Sequence, residues 1–214
     1  IDRSLVGSEM CIRDSFKGEH LAAIQDEILQ MLEDKTKMVE REGSEHFFQK
    51  YQSTSYCFVN QHYHYPTLKA LESNVLIEAI LGQLFPEGFQ LQQSLVQHNR
   101  AGEGQAIPWH QDVHFEQVPA SKMFNFLIYP FDTTLESGAL FYVPGSHRQG
   151  RLPKGNPHDP LSGETPLSPK AGDLIIGDCR LFHKVNHNHS KQDRVSINLR
   201  FHSNDVKPED TLSL

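Results

Sequence analysis

Arg194-Val195-Ser196-Ile197-Asn198-Leu199-Arg200-Phe201-His202 alternates without a break, with five polar residues on one side and four apolar residues on the other. A period of two is the mark of a β-strand with one face against an apolar core. Taken alone, its polar face reads as a solvated one, and Arg194 as an ordinary surface cation. What changes that reading lies upstream.

Moving outward, the stretch 89–98 also alternates, placing Leu91, Gln93, Leu95 and Gln97 on one face. Short apolar runs at 123–131, 139–143 and 174–176 are separated by turn residues. Before them, Leu21, Ile24, Ile28 and Leu32 recur at helical spacing, so 18–33 is expected to be an amphipathic helix. A second helix is expected over 67–85, ended by Gly82, Pro86 and Gly88. Residues 34–50 read as part helix, part loop, and 51–65 as aromatic and polar without a period. Helices followed by short strands with Gly/Pro punctuation give an α+β, mainly β class: an antiparallel sandwich or jelly roll with N-terminal helices on one sheet.

Composition narrows the function. A chain of 214 residues, 37% hydrophobic and 22% charged, fits one domain with a sizeable core. A net charge of −7 with scattered basic residues argues against a nucleic-acid footprint. No apolar run approaches the ~20 residues needed to cross a bilayer. Cys11, Cys57 and Cys179 are too few and too scattered for a disulfide framework, so a reducing, cytoplasmic setting is expected.

The chemistry-bearing pattern is His110-Gln111-Asp112, then His183, then Arg194. Two imidazoles and one carboxylate are the ligand set of a non-haem Fe(II) site with one open face. On an extended strand, positions 110 and 112 project the same way and can close on one ion. His183 would come from a distant strand, and Arg194 offers a planar fork suited to a carboxylate. His187 and His189 rival His183 by position, His114 shares the face of His110, and His147 reads as a turn residue. A zinc hydrolase would accept the same three ligands.

Trp109-His110-Gln111-Asp112-Val113-His114-Phe115, Glu136-Ser137-Gly138-Ala139-Leu140, Val143-Pro144-Gly145-Ser146-His147, Gly172-Asp173-Leu174 and Leu181-Phe182-His183 occur in that order. The concatenation resembles the phytanoyl-CoA dioxygenase family over residues 60 to 205. The resemblance implies a double-stranded β-helix, Fe(II), 2-oxoglutarate as co-substrate and O2, with ascorbate as the reductant in vitro. It implies His110, Asp112 and His183 as iron ligands, Arg194 as the anchor of the distal 2-oxoglutarate carboxylate, and Ser196 as its helper. Relatives that halogenate carry Ala or Gly where Asp112 stands, so hydroxylation of a small molecule, releasing succinate and CO2, is expected. Two alternatives stay open: a cupin-like metal protein with chemistry independent of 2-oxoglutarate, and an inactive truncated family member. The loop 149–169 is a candidate substrate lid. The prime substrate and the oligomeric state are not encoded in any motif.

Residues 1–15 show neither helical nor strand period, and read as translated sequencing-adapter sequence, a non-native or disordered leader. Residues 16–214 then read as the single oxygenase domain, truncated before its first helix. Family members usually begin with a strand and a turn at that point, and no segment is expected to fill the role.

Overall fold

The computed structural model describes residues 9–34, 56–102, 106–113, 116–156 and 158–207. Two antiparallel sheets face each other. The larger has the order β1-β8-β5-β10-β3-β2, formed by Glu9–Ile12 (β1), Leu174–Asp178 (β8), Met123–Ile128 (β5), Arg194–Ser203 (β10), Phe89–Asn99 (β3) and Tyr56–Val59 (β2). The smaller has the order β4-β9-β6-β7, formed by Ile107–His110 (β4), His183–Val185 (β9), Leu140–Tyr142 (β6) and Thr165–Leu167 (β7). The architecture is mainly β, a jelly roll of the double-stranded β-helix type.

Strand alternation sorts the larger sheet into two functions. Val195, Ile197, Leu199 and Phe201 of β10 share one core with Phe124, Phe126 and Ile128 of β5 and Leu174 and Ile176 of β8. Helices cover that face: α1 (Gly18–Glu33) brings Ile24, Ile28 and Met31, and α3 (Val75–Leu84) brings Ile77, Ile80 and Leu81. Each large apolar side chain fully buried there contributes about 1.5–3 kcal/mol. The opposite face of β10, with Arg194, Ser196, Asn198 and Arg200, looks between the sheets. It is not solvated: every residue of β10 is buried.

The helix at 18–33 has the expected bounds. The stretch 67–85 instead divides into α2 (Pro66–Ala70), a 3-10 turn at Leu71–Ser73 and α3. Asn74 causes the break: its Oδ1 accepts from Leu76 N at 3.0 Å and Ile77 N at 3.4 Å, so it caps a new helix rather than continuing the old one. Gly82 lies inside α3, which runs on to Leu84. The 51–65 stretch yields β2 and a 3-10 turn at Gln61–His64, where buried His62 bridges Ser94 and Glu72. Residues 35–50 lie outside the described residues.

Two further differences come from register. Gln93 pairs with Arg200 but Leu91 with Phe201, so Gln92 is bulged out. The bulge turns Leu91 to the helix side, while Leu95 and Gln97 stay on the cavity side.

The second concerns the N-terminal segment. Within 1–15, residues 9–12 form an edge strand against β8, from Glu9 opposite Gly177 to Ile12 opposite Leu174. Arg13 pairs with the buried Asp173 carboxylate, and Asp14 N donates to Asp173 Oδ1 at 3.0 Å. Phe16 N donates to Gly172 O at 3.0 Å. A strand and a turn therefore do precede the first helix. Four residues are too few to show a period, and backbone pairing with β8 supplies what local pattern does not. Residues 1–8 lie outside the described residues.

Candidate functional site

His110 is the last residue of β4 and His183 the first of β9, and the two are paired directly across the strands. Their ring centroids stand 4.1 Å apart. Asp112 lies just past the end of β4, so the His-x-Asp motif closes a strand rather than opening one. Asp112 N donates to Cys179 O at 2.9 Å, which holds the turn against the segment leading to His183. The carboxylate reaches both rings: Oδ1 is 3.8 Å from His110 Nε2 and Oδ2 is 3.5 Å from His183 Nε2. One ligand atom from each residue lies within 4.8 Å of the others, a spacing that can hold a metal ion.

The same backbone device aims both imidazoles. His110 Nδ1 bonds to Pro108 O at 2.8 Å and His183 Nδ1 to Leu181 O at 2.9 Å. A carbonyl can only accept, so Nδ1 carries the proton in each ring and the Nε2 lone pair is left for a metal. Burial, then the neighbouring His183, push His110 down to about 4, so it is neutral at physiological pH. Burial alone would raise the Asp112 carboxyl. Arg200, then His183, His110 and the Asn125 amide outweigh it and hold the group well below the usual carboxylate range.

Asp112 is braced from the larger sheet. Arg200 Nη2 lies 2.9 Å from Oδ1, and Asn125 Nδ2 donates to Oδ2 at 2.5 Å. Asn125 Oδ1 in turn accepts from Asn198 Nδ2 at 2.9 Å and Arg200 Nε at 3.0 Å. Neither Asn125 nor Asn198 stands out in the sequence by motif. Asn125 was detectable only as the lone polar residue of Met-Phe-Asn-Phe-Leu-Ile.

The triad, Asn125, Arg200 and Arg194 line one open cavity, walled by Leu95, Leu127, Leu140 and Val185 among others. Arg194 is 1% exposed. Its Nη2 donates to Tyr129 Oη at 3.2 Å, while Nε and Nη1 have no hydrogen-bond partner. Among the described residues no carboxylate pairs with it. A buried cation with two idle donors is costly unless an anion completes it. The donor set therefore fits a metal at one end of the cavity and a ligand carboxylate at the other. Ser196 is buried on the same strand face but is not among the residues that line the cavity.

His187 and His189 are exposed and stack at 5.5 Å on each other, apart from the triad. His147 is buried and accepts from Arg148 Nε at 3.1 Å, while Ser146 Oγ of the same turn accepts from Phe182 N at 2.8 Å. His114 lies outside the described residues. No helix among the described residues is long and apolar enough to cross a membrane.

A double-stranded β-helix that brings two imidazoles, a carboxylate and a buried arginine into one cavity defines the fold class of the iron- and 2-oxoglutarate-dependent oxygenases. The chain belongs to the phytanoyl-CoA dioxygenase (PhyH) family, whose profile matches residues 10–196. It is 25% identical over 150 residues to mouse phytanoyl-CoA dioxygenase domain-containing protein 1, covering 62% of this chain, and spans about half (52%) of that protein's length. Among solved structures it is similar to EctD from S. alaskensis with 2-oxoglutarate and 5-hydroxyectoine, with TM-score 0.79, 20% identity, and 97% of this chain and 77% of the other covered. It is also similar to the non-haem α-ketoglutarate-dependent carbocyclase SnoK from nogalamycin biosynthesis, with TM-score 0.75, 18% identity and coverage of 96% and 85%. At such identities these structures speak for the fold.

Proposed function

We propose that the protein is an Fe(II)- and 2-oxoglutarate-dependent dioxygenase that hydroxylates a small molecule. The overall change is R–H + 2-oxoglutarate + O2 → R–OH + succinate + CO2, balanced in atoms and electrons. His110, Asp112 and His183 would hold the iron, and Arg194 the distal carboxylate of 2-oxoglutarate; Ser196, which does not line the cavity, would help only from behind Arg194 on the same strand face. When bound, the iron and 2-oxoglutarate supply the two-electron activation of O2 that the side chains cannot.

The chain's own residues hold and orient. The Pro108 and Leu181 carbonyls fix each imidazole with Nε2 turned inward. Arg200 and Asn125 keep Asp112 ionised and in place. Arg194 would orient the diacid through its free N–H donors, and the leucine and valine walls would surround the reacting end with apolar surface. The single observation that carries this reading is the buried Arg194 with two idle donors in the cavity of the triad. EctD, of the same fold, was solved with 2-oxoglutarate and 5-hydroxyectoine, while SnoK of the same fold is a carbocyclase, so the choice of hydroxylation is carried by the carboxylate retained at Asp112.

The test is succinate formation by purified protein with Fe(II), ascorbate, O2 and 2-oxoglutarate. Slow turnover above a His110→Ala control is expected even without prime substrate. Folded, iron-loaded protein that forms no succinate above that control overturns the reading and favours chemistry independent of 2-oxoglutarate.

A further inference from the structure

Trp109 on β4, Lys184 on β9 and Gln111 just past β4 are chain neighbours of the triad residues whose side chains turn away from the triad. Trp109 precedes His110, and its Nε1 donates to Asp159 O at 2.8 Å. Gln111 stands between His110 and Asp112. Its Nε2 donates to Gly150 O at 3.0 Å and Arg180 O at 2.8 Å, while its Oε1 accepts from Leu152 N at 3.0 Å. Lys184 follows His183, and its Nζ lies 3.1 Å from Glu164 Oε2 and 4.7 Å from the Trp109 ring centroid. Leu152 and Leu161 pack on Trp109, Val143 and Phe182 of the same outer face. Apart from Arg180 O and the sheet residues Val143 and Phe182, these partners (Gly150, Leu152, Asp159, Leu161 and Glu164) belong to the connection 149–164, which leads into β7, where Leu167 lines the cavity.

We propose that Trp109, Gln111 and Lys184 are positioning residues that couple metal occupancy to the ordering of the 149–164 connection. Side chains alternate across a strand, so Trp109 and His110 on β4, and His183 and Lys184 on β9, share backbone while facing apart; Gln111 is joined directly to both His110 and Asp112 in the turn that follows β4. Closing His110, Asp112 and His183 on one ion fixes that backbone, and with it the three anchors. Coupling of this kind is reciprocal: whatever the metal adds to the connection, loss of the anchors removes from metal affinity. The connection is thus not a free lid over the mouth. It is a cover pinned behind the metal, tightening the Leu167 wall of the cavity when the site fills. The inference rests on the reading above only in that the triad binds a metal.

The experiment combines anaerobic Fe(II) titration with amide hydrogen exchange, using the full chain and the near-isosteric variants Trp109→Phe, Gln111→Met and Lys184→Met. In the wild type, Fe(II) alone is expected to slow exchange over 150–164. Each variant is expected to bind Fe(II) roughly three- to tenfold more weakly, the equivalent of one net hydrogen bond, with a smaller gain in protection. Lys184→Met is the most diagnostic variant, because removing a cation would by electrostatics alone tighten Fe(II) binding. If wild-type protein binds Fe(II) with no change in exchange over 150–164, the coupling is overturned, even should a variant fail to fold. Folded variants that bind Fe(II) like the wild type overturn it equally. Failure of the wild type to bind Fe(II) at all would sink the metal site itself, and the coupling with it.

Discussion

Arg200 Nη2 stands 2.9 Å from Asp112 Oδ1, so the one carboxylate of the candidate metal site is paired with an arginine of the opposite sheet. Arg194, six residues earlier on β10 and about 20 Å away by strand rise, is buried without such a partner. One strand therefore carries two cations with different tasks. Arg200 is engaged by the protein's own carboxylate, whereas Arg194 leaves Nε and Nη1 without a hydrogen-bond partner.

Arg200→Met is expected to move the Asp112 carboxyl upward. Burial raises that group and Arg200 is the largest influence lowering it. In metal-free protein, Asp112 should then titrate at a higher pH than in the wild type, followed by carbon NMR of the side-chain carboxyl. An unchanged titration would show that the ion pair does not set the charge of this ligand.

The metal-free protein is expected to lose stability on acidification through His110. Its folded value is about 4 against an ordinary 6.5, so between those values the unfolded chain holds a proton that the folded chain refuses. Stability from this group is complete above 6.5 and is lost as pH falls toward 4, with a slope of at most about 1.4 kcal/mol per pH unit. Denaturant midpoints of metal-free wild type and His110→Gln at pH 7 and pH 5 check this. The wild type should fall further, and equal falls would contradict the assignment.

Deleting residues 1–15 is expected to lower the melting temperature. The deletion removes the pairing of β1 with β8, the Arg13–Asp173 ion pair and the partly buried Ile12 at the edge of the helix-side core. A loss of about 1–2 kcal/mol corresponds to roughly 2–8 °C for a chain of this size. A melting curve identical to the full chain would mean that β1 contributes nothing.

Gly172→Ala should cost more than that deletion. Gly172 has φ +87°, and a Cβ there would stand 2.1 Å from Phe16 O. Both the backbone strain and the clash fall on the turn where Phe16 N bonds back to Gly172 O. Thermal unfolding of the variant, compared directly with the deletion, orders the two effects.

What the sequence made legible follows from how local each signal is. The period of two in 194–202 and the period of 3.6 in 18–33 each arise within one element, and both elements have nearly the expected bounds. The clustering of His110, Asp112 and His183 was legible through the order of the family-like motifs; ligand type alone left His187 and His189 open beside His183. Gln92 was not legible as a bulge, since an inserted residue shows itself only against the partner strand. The same holds for β1, which exists through pairing with β8. Asn125 and Arg200 act across sheets, and neither spacing nor composition carries that information.

The most direct test is an anaerobic titration of Fe(II)-loaded protein with 2-oxoglutarate, watched through the weak visible charge-transfer band of the chelate. The wild type should give a saturable band. Arg194→Ala should keep its iron yet need upwards of a hundredfold more 2-oxoglutarate, the equivalent of the roughly 3–5 kcal/mol lost when a buried pair is broken. Arg194→Lys should recover only part of it, because an ammonium lacks the planar fork. Asp112→Ala should lose iron first. An iron-loaded wild type without a band, or an Arg194→Ala protein that titrates like the wild type, would contradict the assignment of this cavity to iron and 2-oxoglutarate.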